Sequence, residues 1–181
     1  MAFNVTEFRA NLIGDGARPN LFQVSMPFPG TGLAEIPEAA RNISFLAKTA
    51  QLPGSTVGVA PLYYFGRELK FAGNRTFADW TITVINDEDF MIRDAFENWL
   101  DAINMHAANL RDRRAPSPYS YTCDAVVKQY GKTGDAIKDY LFVGMFPTDV
   151  APIELDWGTN DSIEEFSVTL AYQFWESNTT R

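Results

Sequence analysis

The stretch Phe166-Ser167-Val168-Thr169-Leu170-Ala171-Tyr172-Gln173-Phe174 alternates large apolar residues with small or polar ones throughout. Successive strand side chains point to opposite faces, so this pattern predicts a half-buried β-strand. Phe166, Val168, Leu170, Tyr172 and Phe174 fall on its core side. The same period recurs along the chain. Phe22, Val24, Met26 and Phe28 share a face opposite Gln23 and Ser25, and Trp80, Ile82 and Val84 alternate with Thr81 and Thr83. Cys123, Ala125 and Val127 interleave with Asp124 and Lys128. Residues 140–146 are apolar on both faces, which predicts a central strand covered on both sides.

Turn chemistry punctuates these runs. Gly73-Asn74 is expected to close a tight hairpin between Leu69-Lys70-Phe71 and the Trp80 strand. Pro147-Thr148-Asp149 and Gly158-Thr159-Asn160-Asp161 are expected to bracket a short strand at Ile153-Glu154-Leu155. One segment changes period: Ile92, Phe96, Trp99, Leu100 and Ile103 lie on one helical face, which predicts a helix over about residues 88–104. Asn86 or Asp87 is the expected cap, with Glu88 and Asp89 complementing the dipole of the first turn. Residues 29–42 and 107–121 read as long loops. The fold expectation is one mainly-β domain over 1–181, with seven or eight strands and one packed helix. Its form is a β-sandwich or partly closed barrel.

Composition narrows the function. Hydrophobic residues make up 46% of the 181-residue chain and charged residues 21%, a globular balance. Aromatic residues reach 14%, enough to raise the question of rings buried against other subunits. The formal net charge of −8 argues against gripping nucleic acid, because phosphate binding needs a basic surface that releases counterions. No signal-peptide pattern or membrane-length apolar run is visible. The single cysteine, Cys123, makes no internal disulfide.

No catalytic, cofactor-binding or metal-binding set emerges. His106 and Cys123 are the only residues of their types, and a Cys-His pair also needs an orienting group and an oxyanion site. Gly14-Asp15-Gly16 precedes a strand rather than opening a helix, so it reads as a turn and not a phosphate loop. Asp87, Glu88 and Asp89 are explained by helix capping, and residues 156–161 lack the length and closing glutamate of a calcium loop. Arg111, Arg113 and Arg114 form a basic cluster in a Pro-containing loop, a candidate for meeting an acidic protein surface.

The stretch from Pro61-Leu62-Tyr63-Tyr64-Phe65-Gly66-Arg67 through Arg75-Thr76-Phe77 and Trp80 to Asn86-Asp87-Glu88-Asp89-Phe90 and Trp99 closely resembles the tail tube proteins of T4-like contractile-tailed bacteriophages. The likeness includes Phe8-Arg9-Ala10-Asn11-Leu12, Arg18-Pro19-Asn20-Leu21-Phe22, the run from Gly144 to Trp157, and the run from Ile163 to Phe174. It covers nearly the whole chain, excepting 29–42 and 107–121.

The resemblance implies a non-enzymatic virion protein, assembled in the host cytoplasm, whose strands complete the inner β-barrel of a hexameric ring. Such rings stack head-to-tail into a tube, a conduit for DNA that passes without specific binding. Implied partners are further copies of the chain, the tail sheath, tape measure, baseplate and tail-terminator proteins, with no membrane insertion. Tyr63, Tyr64, Phe65, Gly66 and Arg67 are the expected subunit contact, and the acidic balance suggests a carboxylate-lined lumen that repels phosphate. The nearest rival is a tube subunit of a type VI secretion system or contractile bacteriocin. Remoter ones are a small cytoplasmic enzyme using Cys123 and His106, and a monomeric ligand-binding β-barrel.

Overall fold

Period-two alternation turns into burial along β5 (Trp80–Ile85), where Trp80, Ile82 and Val84 are buried and the residues between them are half-buried. This strand pairs on one side with β8 (Glu165–Ala171) and on the other with β2 (Ala47–Ala50), both antiparallel. The computed structural model describes residues 4–29 and 37–181. Among these, nine strands and four α-helices follow in the order α1 (Val5–Asn11), β1 (Phe22–Ser25), α2 (Pro37–Leu46), β2, β3 (Ser55–Tyr64), β4 (Arg67–Phe77), β5, α3 (Met91–Ile103), α4 (Pro118–Tyr121), β6 (Cys123–Tyr130), β7 (Ala136–Val150), β8 and β9 (Phe174–Ser177).

Seven strands form one sheet in the order β1-β6-β7-β8-β5-β2, with β9 also paired to β7. The 15-residue β7 joins two leaves. Its first part pairs with β6 and with β9, and its last part pairs with β8. The strand passes between leaves at Gly144, whose φ of +64° favours a residue without Cβ. An added Cβ there would also meet Gln173 Cγ at 3.0 Å.

One core joins the two leaves and the helices. Val24, Val127 and Phe142 come from one leaf, and Ile82, Val84, Phe166, Val168 and Leu170 from the other. Ile92, Phe96 and Trp99 of α3, with Ala39 and Ile43 of α2, complete it. Trp80 stacks on Phe142 with ring centroids 4.3 Å apart, and its Nε1 donates to the Gln51 carbonyl at 2.8 Å. Trp99 Nε1 donates to the Tyr121 carbonyl at 2.6 Å, so both buried indoles are satisfied.

The dominant antiparallel sheet and the packed helix were legible in advance, but several elements differ from expectation. The sheet is not a closed barrel, because β1 and β2 end its path without pairing to each other. Helices are more numerous than the single one expected: residues 37–46 form α2 because Ala39 and Ile43 recur at helical spacing and bury against the core. Residues 30–36, also read as loop, lie outside the described residues.

Helix α3 begins at Met91 rather than near 88, and its N-cap is Phe90 in a left-handed conformation, with no side-chain cap. Asn86 is committed elsewhere. Its side-chain amide donates to Glu164 Oε2 at 3.0 Å, and it lies five residues before the first helical residue, too far upstream to cap. Gly73-Asn74 lies inside β4 and not at a turn, Pro147-Thr148-Asp149 lies inside β7, and residues 153–155 form no strand.

Candidate assembly surface

β3 and β4 form a sheet of their own, and neither pairs with any other described strand. Every residue from Ser55 to Ala72 is exposed, the turn included, where Phe65 is 92% exposed. The turn is built from two left-handed residues, Phe65 (φ 46°) and Gly66 (φ 80°), the requirement of the tight turn that matches strand twist. A bulge opposes Gly58 to Gly73 and Asn74, where the two backbones approach so closely that a Cβ on Gly73 would lie 3.0 Å from the Gly58 carbonyl carbon.

The register sorts the hairpin into two faces. Ala60↔Phe71, Leu62↔Leu69 and Tyr64↔Arg67 share one, and Val59↔Ala72, Pro61↔Lys70 and Tyr63↔Glu68 share the other. Beyond the bulge the first face is thus apolar with Arg67 at its tip, while the second carries Lys70 and Glu68. An isolated two-stranded ribbon is marginal in water, and a contiguous exposed apolar face marks an interaction site.

Only the base of the hairpin is anchored to the body. Phe77 packs against Tyr172 and Trp175 with centroids 6.1 and 6.5 Å apart, and Trp175 Nε1 donates to the Gly54 carbonyl at 3.1 Å. Burial, helped by the nearby Asp79 carboxylate, pushes the Tyr172 phenol up.

A second exposed apolar surface lies in the arch of residues 151–164 between β7 and β8. Leu155, Trp157 and Ile163 are exposed there by 81%, 100% and 71%. They sit among Glu154, Asp156, Asp161 and Glu164, and no Lys, Arg or His falls within 151–165. The arch encloses an open concavity of about 630 Å³ lined by Ile153, Leu155, Trp157 and Ile163 with Glu154, Asp156 and Glu164. Its feet are tied down: Arg93 Nη1 donates to the Ala151 carbonyl at 3.1 Å, and Asn86 N donates to the Glu164 carbonyl at 2.9 Å.

The chemistry-bearing residues are not brought into a catalytic set. His106 is exposed and its Nδ1 meets Asp101 Oδ1 at 2.7 Å; the His106 backbone N–H and ring together hold the Asp101 carboxyl below its ordinary value. Cys123 is half-buried on β6, and burial pushes its thiol up to about 12, the opposite of an activated nucleophile.

The arginine cluster is divided. Arg111 lies over the Tyr121 ring at 4.9 Å, and Arg114 pairs with Asp112 at 2.8 Å, drawing that carboxyl down. Arg113 remains exposed on the loop surface. Among the described residues no group of three potential ligands gathers to hold a metal. Tyr63, Tyr64, Phe65, Gly66 and Arg67 are brought together at the hairpin tip. The exposure of the arch has no signal in the sequence, because an apolar residue such as Leu155 or Trp157 does not announce whether anything covers it.

The phage tail tube protein family matches residues 17–178. The tail tube protein gp19 of Enterobacteria phage T4 is 36% identical over 169 residues, covering 93% of this chain and 96% of its own. The chain belongs to the phage tail tube protein family. The tail tube protein of Serratia phage KSP90 is 29% identical over 170 residues, 93% of each chain. Among solved structures, the tube-terminating cap of the anti-feeding prophage aligns with a TM-score of 0.61 at 15% identity, over 90% of each chain. A sheath–tube complex of an extracellular contractile injection system aligns at 0.59 with 14% identity, over 97% of this chain and 98% of the other. These two share the fold. As a tail tube family member the chain is a structural, non-enzymatic virion component of the phage tail, which accounts for the absence of a catalytic constellation.

Proposed function

We propose that the chain closes into hexameric rings that stack as the inner tube of a contractile tail, a conduit through which DNA leaves the virion. The observation that carries this reading is the hairpin β3–β4, a long ribbon with open edges and no strand partner among the described residues. Joined edge to edge around a ring, such ribbons make a closed inner barrel and leave no free strand edges. The body, packed around its own core, then forms the outer wall. Sheath, tape measure, baseplate and tail-terminator proteins are its partners in the tail, and residues 107–121, a loop that ends in α4 and leaves Arg113 exposed, suit an acidic partner surface.

DNA transits without specific binding. The net charge of −8 per chain favours this, since carboxylates near the channel repel phosphate. The hairpin lends no support to an acidic lining, however. Its polar face carries Lys70 with Glu68, and Arg75 beyond the bulge, so carboxylates reaching the channel have to come from the body. Negative-stain electron microscopy of the purified chain tests the reading. Rings or tubes support it, and a strictly monomeric protein at high concentration overturns it.

A further inference from the structure

The hairpin and the arch lie at opposite ends of one leaf. The hairpin leads directly into β5 at Trp80, and the far end of that strand, Ile85, pairs with Glu165, where the arch enters β8. Two exposed apolar surfaces placed this way cannot meet within one chain, but they meet readily between copies arranged head to tail. Contacts of this heterologous kind propagate a filament. Their chemistry is matched. The apolar hairpin face presents Leu62, Leu69 and Phe71 with Arg67 at its tip, within a segment whose charges are Arg67, Lys70 and Arg75 against Glu68. The arch presents Leu155, Trp157 and Ile163 within a segment whose only charges are carboxylates. A strand of ten residues reaches about 33 Å, long enough to cross from one subunit onto the next.

We propose that the apolar face of the hairpin seats on the 151–164 arch of a second copy of this chain in the adjoining ring, with Arg67 facing the arch carboxylates. This makes the arch the receiving surface of the tube's stacking contact, and it rests on the ring-and-tube reading above. Opposite net charges steer the approach, and the apolar residues, desolvated together, supply the hold. The polar hairpin face stays free to line the channel.

Cysteine pairing tests the contact in assembled tubes. Leu62→Cys and Thr159→Cys are introduced together and treated with a short bismaleimide; native Cys123 stays in place because burial, which pushes its thiol up to about 12, leaves it far less thiolate than an exposed cysteine, and each single variant controls for it. A ladder of crosslinked multimers on a denaturing gel, absent from either single variant, is expected. Tubes that assemble without the ladder overturn the proposal, as does a ladder obtained instead from Phe8→Cys with Thr159→Cys, which would seat α1 on the arch. Arg67→Glu provides a second reading, lowering the fraction of protein in tubes about tenfold at low salt, with recovery when combined with Asp156→Arg. No recovery overturns the ionic half of the contact. Failure of the unmodified chain to form tubes at all is a different result, and it counts against the ring-and-tube reading itself.

Discussion

Trp99 and Phe65 are both large aromatic residues, yet one is 0% exposed and the other 92%. Trp99 packs beside Phe28 and Phe96 with its indole N–H satisfied, so its place follows from the chain alone. Phe65 contacts its neighbour Tyr64, at a centroid distance of 4.6 Å, on a ribbon that touches the body only at its base. The packed body is stabilised by burying apolar area within one chain. The hairpin exposes Leu62, Tyr63, Tyr64, Phe65, Leu69 and Phe71, and nothing among the described residues covers them. A fold divided in this way packs one region within the chain and leaves the other open to a partner surface.

The sharpest break of this comparison comes from truncating each side. Trp99→Ala removes a fully buried ring, and a loss of about 3–5 kcal/mol is expected, seen as a large fall in thermal midpoint and the disappearance of folded protein. The double change Leu62→Ser with Leu69→Ser is expected to behave in the opposite sense. Folding stability stays within about 0.5 kcal/mol, as for ordinary surface substitutions, while tubes vanish from electron micrographs. A hairpin double variant that melts far below the parent would show that the ribbon packs on its own body after all.

The same division explains what could be read from sequence. Burial on β5 and β8 and on the α3 stripe was legible because alternation and helical period report which side of an element meets a core. They do not report whether that core belongs to the same chain. Leu62, Tyr64 and Leu69 alternate like buried residues, and only three dimensions reveal that nothing covers them. The hairpin around Leu62–Arg67 follows from the family resemblance and not from turn chemistry, because phenylalanine is an unusual residue for a left-handed position, whereas Gly73-Asn74, a standard turn pair, marks a bulge. Within the arch a short strand is expected at Ile153-Glu154-Leu155, bounded by turn residues, although residues 151–164 form no strand.

A middle-sized effect isolates the hairpin's shape from its surface chemistry. Gly73→Val places a side chain against the Gly58 backbone at 3.0 Å, a contact that only backbone movement can relieve. Overpacking of this kind costs about 1–3 kcal/mol, here confined to the ribbon. Amide exchange is expected to quicken across residues 55–77 while protection on β5, β7 and β8 holds. Tubes become scarcer even though every apolar residue of the docking face remains. Unchanged assembly would mean that the bulge does not set the angle at which the ribbon leaves the body.

The smallest expected effect concerns residues 107–121, a loop that is neither bare nor core. Ala115 buries against Ala102 and Tyr121, Arg111 covers the Tyr121 ring, and Arg114 binds Asp112. Hydrogen bonds from Arg114 hold the Asp112 carboxyl below the ordinary aspartate value of about 3.9. A carboxyl with a depressed folded-state pKa contributes stability above its unfolded value, and that contribution is lost as pH falls through the lower folded value. Above about pH 5 the thermal midpoints of the parent and of Asp112→Asn are therefore expected to run parallel; below about pH 4 the parent falls more steeply. The exposed pair keeps the difference small. Identical acid limbs would assign the loop's order to Ala115 and the Arg111–Tyr121 contact alone. It would then belong with the packed body, with Arg113 exposed on its surface.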